Sequence, residues 1–108
     1  MRRMFILAIF VLFSSKAFAE SVVVKYRGEV DLEPFQCTTV DRSSFVNRVC
    51  YDEGNQYMLI QLGSTYYHYC GIDHATVSGL LNAESVGKFY NASIKGHFDC
   101  RVTSPPKY

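Results

Sequence analysis

The chain has 108 residues, 48% of them hydrophobic and 15% aromatic, and is too short for two independent cores. Its formal charge of +1 depends on Arg2, Arg3 and Lys16; residues 20–108 carry eight Lys and Arg against ten Asp and Glu, a net of −2. That balance excludes the basic surplus a DNA-wrapping protein needs, and the aromatic content with only three Pro excludes a disordered tail.

Taken in chain order, residues 1–19 read as a signal peptide. Met1–Met4 is cationic, Phe5–Phe13 is an unbroken apolar run, and Ala17-Phe18-Ala19 offers small residues for cleavage after Ala19. An apolar run of this length covers about half of a ~30 Å hydrocarbon core, so no stable membrane anchor is expected after cleavage. The general secretory route is expected, to the periplasm or out of the cell. Residues 20–42 form an extended segment, with Ser21–Leu32 β-prone before Glu33-Pro34. Ser43–Tyr51 is the next strand, Asp52-Glu53-Gly54-Asn55 a turn, and Gln56–Leu62 a strand. Gly63-Ser64 signals a hairpin leading into Thr65–Gly71. Asp73 suits the N-cap of a helix carrying Val77, Leu80 and Leu81. Ser85 suits that of a second, carrying Val86, Phe89, Tyr90 and Ile94 and closed by Gly96. Residues 43–103 form the main domain, and Ser104–Tyr108 is read as a flexible tail.

These elements predict an α+β fold: a three-stranded antiparallel meander, extended by a possible fourth N-terminal strand, packed against two short helices. Tight turns put residues 50, 57 and 70 level. One face then holds Phe45, Asn47, Val49, Met58, Ile60, Leu62, Thr65, Tyr67 and Tyr69 and receives the helices. The other holds Val46, Arg48, Cys50, Tyr57, Leu59, Gln61, Tyr66, His68 and Cys70. Four cysteines, Cys37, Cys50, Cys70 and Cys100, read as two disulfides. No Cys-x-x-Cys is present, so His68, Cys70 and His74 are not read as a metal site. Cys50 and Cys70 stand roughly 9–10 Å apart across the middle strand, too far to bond, so each pairs with Cys37 or Cys100. Both arrangements remain open; Cys37–Cys50 with Cys70–Cys100 is preferred.

From Ser43 to about Phe98 the chain resembles the KTSC domain. The resemblance rests on Tyr51-Asp52, on Tyr67-His68-Tyr69 as the family's Y-x-Y, and on Ala83–Lys95, with Ser85, Gly87, Asn91, Ile94 and Lys95 in the motif. The KYRGEVDL segment and the ending GHFDCR are similar to small exported KTSC proteins of α-proteobacteria. Four cysteines, a signal peptide and a link to Tyr67 one residue shorter depart from the family's cytosolic pattern. The resemblance implies a fold, and RNA binding has been suggested for the family.

The aromatic strand Tyr66–Tyr69 could stack unpaired bases, with Arg42, Arg48, Lys88, Lys95, His97 and Arg101 on phosphates. Against this, Tyr67 and Tyr69 fit a packed position under the helices, and the net charge is negative. Tyr57, Tyr66 and His68 either lie beneath the tethered N-terminal segment or form a binding patch with Arg48. No catalytic residue is assigned. Ser43, Ser44 and Ser78 lack a nucleophile elbow, bridged cysteines offer no thiolate, His74 is a first-turn residue, and Glu84 is a solvated or capping carboxylate. Asn91-Ala92-Ser93 is discounted as a sequon. The function expected is a non-enzymatic, cofactor-free binding module of an envelope protein or small ligand, through Arg48, Tyr57, Tyr66 and His68. Single-stranded nucleic-acid binding and inhibition of an envelope enzyme are the alternatives.

Overall fold

The computed structural model describes residues 20–108; the signal peptide expected over residues 1–19 lies outside them. Six strands form one mixed sheet: β1 (Ser21–Val24), β2 (Gly28–Asp31), β3 (Gln36–Thr39), β4 (Val46–Asp52), β5 (Tyr57–Leu62) and β6 (Thr65–Cys70), in the order β2-β1-β6-β5-β4-β3. The expected meander is β4-β5-β6, and three strands understate the sheet. The N-terminal segment supplies β1, β2 and β3, the first two as a hairpin. All neighbours are antiparallel except β1 and β6, which run parallel at Val24 and Tyr66.

Register departs from expectation in two places. β4 runs on through Tyr51 and Asp52, and a 3-10 turn at Glu53–Asn55 with Gln56 at φ 49° leads into β5. Asp52, Tyr57 and Cys70 are therefore level, whereas Cys50 stands opposite Leu59, which faces His68. A shift of two residues preserves the facing of side chains, so most of the assigned faces stand. A bulge between Val46 and Arg48 is the second departure. It turns Val46 onto the helix side, fully buried, and leaves Asn47 exposed with its side-chain amide donating to Gly63 O at 2.7 Å.

The helix side carries the larger core. Helix α1 (His74–Asn82) contributes Val77 and Leu80 to it, and α2 (Val86–Phe89) contributes Val86. A π turn at Tyr90–Ile94 continues α2 and adds Tyr90 and Ile94. These pack on Val46, Val49, Tyr51, Met58 and Ile60 from the sheet. Ser85 Oγ accepts the Lys88 amide, as an N-cap should; Asp73 instead accepts the Thr76 hydroxyl. Arg42 spreads its guanidinium over the carbonyls of Leu81 and Ala83, each at 2.7 Å, satisfying the end of α1.

The opposite side of the sheet is not open. Val24, Val30, Leu32 and Phe35 close over Cys50, Tyr57, Leu59, Tyr66 and Cys70 as a second core. Two disulfides hold this layer, Cys37–Cys50 and Cys70–Cys100, with Cα separations of 3.9 and 4.8 Å. This is the preferred of the two arrangements left open by the sequence. The C-terminal residues, expected as a flexible tail, are anchored to the same layer. Pro106 O accepts from Arg27 Nη2 at 2.6 Å, and the Tyr108 hydroxyl donates to Asp52 Oδ2 at 2.6 Å. The Tyr108 ring lies 5.6 Å from that of Phe35, and the Arg27 guanidinium lies over both the Tyr57 and the Tyr108 rings, 5.2 and 5.5 Å from their centroids.

Candidate binding cleft

The four residues expected to bind are not presented together. Tyr57 is fully buried and Tyr66 is only 8% exposed, because β1 and its hairpin cover them; both rings belong to the second core. Arg48 reaches across this layer to Glu20, with Nη1 2.6 Å from Oε2, and to the Tyr66 hydroxyl at 3.3 Å. The ion pair holds the Glu20 carboxyl below its usual range and raises the guanidinium. His68 alone of the four reaches an open cavity.

That cavity, a cleft of about 580 Å³, lies beside the last residues of β6. β1 leaves the sheet after Val24, and Tyr26, at φ 71° and 85% exposed, forms one wall with Lys25 Nζ 5.4 Å above its ring. Tyr67 and Tyr69 form another wall. Both also pack on the helix-side core, and the Tyr69 hydroxyl meets that of Tyr90 at 2.5 Å; burial first, then this bond, raises the Tyr69 phenol. The third wall is the segment from Gly96 to Arg101, fixed to β6 by the Cys70–Cys100 bridge. Asp99 accepts three contacts from the Arg101 side chain between 2.7 and 3.1 Å, and its carboxyl is pulled down to about 2 by those bonds and by the Arg101 amide. His68 Nδ1 meets the Tyr57 hydroxyl at 2.8 Å; burial, reinforced by nearby Arg27, lowers its pKa.

Three of the six basic residues considered for phosphate contact are engaged within the chain. Arg42 caps α1, Arg48 binds Glu20, and Arg101 is paired with Asp99. A second cleft of about 430 Å³, between α1 and the β3–β4 edge of the sheet, contains His74 with Nδ1 3.5 Å from Glu53 Oε1, both exposed. All four cysteines are bridged, which leaves no thiol nucleophile. Ser43 is occupied as a turn residue, accepting the Phe45 and Val46 amides. Tyr26 and Asp99 were missed by sequence reasoning. Asp99 was reachable through the Cys70–Cys100 pairing, which brings its neighbours to β6; a tyrosine at positive φ leaves no comparable signal.

A mixed sheet with a helix pair on one face and a disulfide-held layer on the other defines a small stapled α+β module. Residues 42–98 match the KTSC domain model, more than half of the chain, and the chain belongs to the KTSC domain family. A crystal structure of a KTSC domain protein from Yersinia pestis is similar to it at 30% identity and a TM-score of 0.57, over 60% of this chain and 92% of that one. No curated protein matches. The family motif is structural where it can be traced. Ser85 caps α2, Ile94 is fully buried, and Gly87 lies against Phe45, while Asn91 and Lys95 are exposed.

Proposed function

We propose that the chain is an exported, non-enzymatic binding module whose contact site is the cleft beside β6. The observation that carries this reading is the cleft itself: Tyr26, Tyr67, His68 and His97 converge on it, and a disulfide immobilises its far wall. Aromatic rings at a half-open, preorganised cavity provide contact area at low entropic cost. Export is supported by the apolar leader at residues 1–19 and by two disulfides, which suit an oxidising compartment. The partner is an envelope protein or a small ligand met in the periplasm or outside the cell.

The reading is tested by affinity capture with the oxidised protein from an extract of that compartment, alongside Tyr26→Ala and His97→Ala. Tyr26 is exposed, so its replacement leaves the thermal midpoint in place. The expected result is a ligand retained by the wild type and lost with Tyr26→Ala. Equal capture by all three proteins overturns the site. Salt-sensitive retention of a single-stranded oligonucleotide moves the reading to nucleic acid, and inhibition of an envelope hydrolase moves it to an inhibitor.

A further inference from the structure

β6 is an interior strand at its start and an edge strand at its end. At Tyr66 its carbonyl accepts the Lys25 amide at 2.8 Å, and at Cys70 its amide donates to Phe98 O at 2.8 Å. Backbone groups of alternate residues point to the same side of a strand, so those of Tyr66, His68 and Cys70 all face away from β5. The first and last are satisfied, one by the end of β1 and one by the C-terminal segment. His68 lies between them, and its outward N–H and C=O have no hydrogen-bond partner among the described residues. They open into the cleft walled by Tyr26, Tyr67 and His97.

We infer that this notch pairs with one residue of an extended peptide from another protein, with apolar or aromatic side chains beside the paired residue. The inference rests on the cleft being the contact site. A peptide residue offers a C=O and an N–H at the spacing that matches those of His68, the mode by which exposed sheet edges capture strands. The gap from Tyr66 to Cys70 is four residues, roughly 13 Å, so the peptide crosses the edge and pairs at one residue instead of adding a full strand. Charge complementarity favours an uncharged ligand. Asp99 and Arg101 neutralise each other, Lys25 lies over the Tyr26 and Tyr67 rings, and the walls are aromatic. The chain's own tail is held elsewhere, by Arg27 and Asp52.

The test uses amide-resolved NMR on the isotope-labelled, oxidised protein. Without ligand, the His68 amide is expected to exchange rapidly with deuterated solvent while those of Tyr67 and Tyr69, which face β5, are protected. The probe is acetyl-Ala-Phe-Ala-N-methylamide, with the same peptide methylated at the Phe nitrogen as control. The unmethylated peptide is expected to shift and protect the His68 amide, and the control to bind about fivefold to tenfold more weakly, the loss of one hydrogen bond. A His68 amide already protected in the free protein overturns the inference. So does equal binding of the two peptides, which leaves the cleft as a site for rings alone. If neither peptide shifts the cleft but Tyr26→Ala still abolishes capture, the peptide inference fails and the cleft stands; if Tyr26→Ala changes nothing, the cleft fails too. An oligonucleotide that shifts His68 where the peptide does not also overturns it.

Discussion

Gly87 sets the distance between α2 and the sheet. A Cβ placed there would stand 2.6 Å from Cε1 of Phe45, closer than packed carbon atoms approach, and the obstacle is a ring held against Tyr90. Gly87→Ala is therefore expected to lower stability by about 1–3 kcal/mol, read as a drop in the thermal midpoint. Pairing it with Phe45→Leu should recover part of the loss, and simple additivity would place the strain elsewhere. His68 predicts a pH effect of definite sign. Its folded pKa lies below the unfolded value of 6.5, so below that value the unfolded chain binds more protons than the folded one. The stability it contributes is complete above about pH 6.5 and is lost as pH falls through the lower, folded value. His68→Gln is expected to flatten the decline in thermal midpoint between neutral and mildly acidic pH. An unchanged decline would assign it to other groups. Asp52 acts lower down. Burial pushes its carboxyl up, but hydrogen bonds from Asn55 and Tyr108 outweigh this and hold it below 3.8, so its contribution disappears only in stronger acid.

At the level of elements, β5 and β6 and their hairpin were legible because Gly63-Ser64 separates two runs of β-prone residues, and the expected level pair Tyr57–Cys70 is the observed one. β4 was legible in facing but not in register. The run Asp52–Asn55 signals a turn without saying whether Asp52 is still paired, and nothing at Val46-Asn47 marks a bulge. The helices followed from their caps and spacing, whereas the π turn at Tyr90–Ile94 has no periodicity distinguishable from a short helix. The cysteines link these elements to the rest of the chain and carry a graded prediction. Cys37–Cys50 spans 13 residues and Cys70–Cys100 spans 30. By loop-closure entropy the first stabilises by about 3 kcal/mol and the second by somewhat under 4. Cys70→Ser with Cys100→Ser is expected to cost more than Cys37→Ser with Cys50→Ser in urea unfolding. It should also free the wall carrying His97 and Asp99, giving new exchange at the residue-70 amide, which donates to Phe98 O in the bridged protein; an amide still protected in that variant would leave the bridge no part in shaping the cleft.

On the scale of the whole molecule, the family-matched span and the folded unit do not coincide. Residues 42–98 carry the helix-side core complete except for Val40, but the second core draws Val24, Val30, Leu32 and Phe35 from before the span and Cys100 from after it. That layer was the part least legible in the sequence: its strands are four residues long, and one pairs in parallel with a strand some forty residues away, a partner that turn chemistry does not announce. The same layer decided the fate of the expected binding face, since covering Tyr57 and Tyr66 moved the open surface to the strand's edge. If the layer is structural, a fragment of residues 42–98 exposes Tyr57, Leu59 and Tyr66, which are at most 8% exposed in the intact protein. At about 1.5–3 kcal/mol for each large side chain, that loss approaches the 5–15 kcal/mol by which a small domain is stable. It comes with the loss of both disulfides. The fragment is expected to lose its cooperative thermal transition and to bind an apolar dye, while the intact oxidised protein melts in one step. A fragment that melts cooperatively within a few degrees of the intact protein would instead make the N-terminal hairpin an accessory to the cleft, kept for Tyr26 and Lys25 and not for the burial of Tyr57 and Leu59.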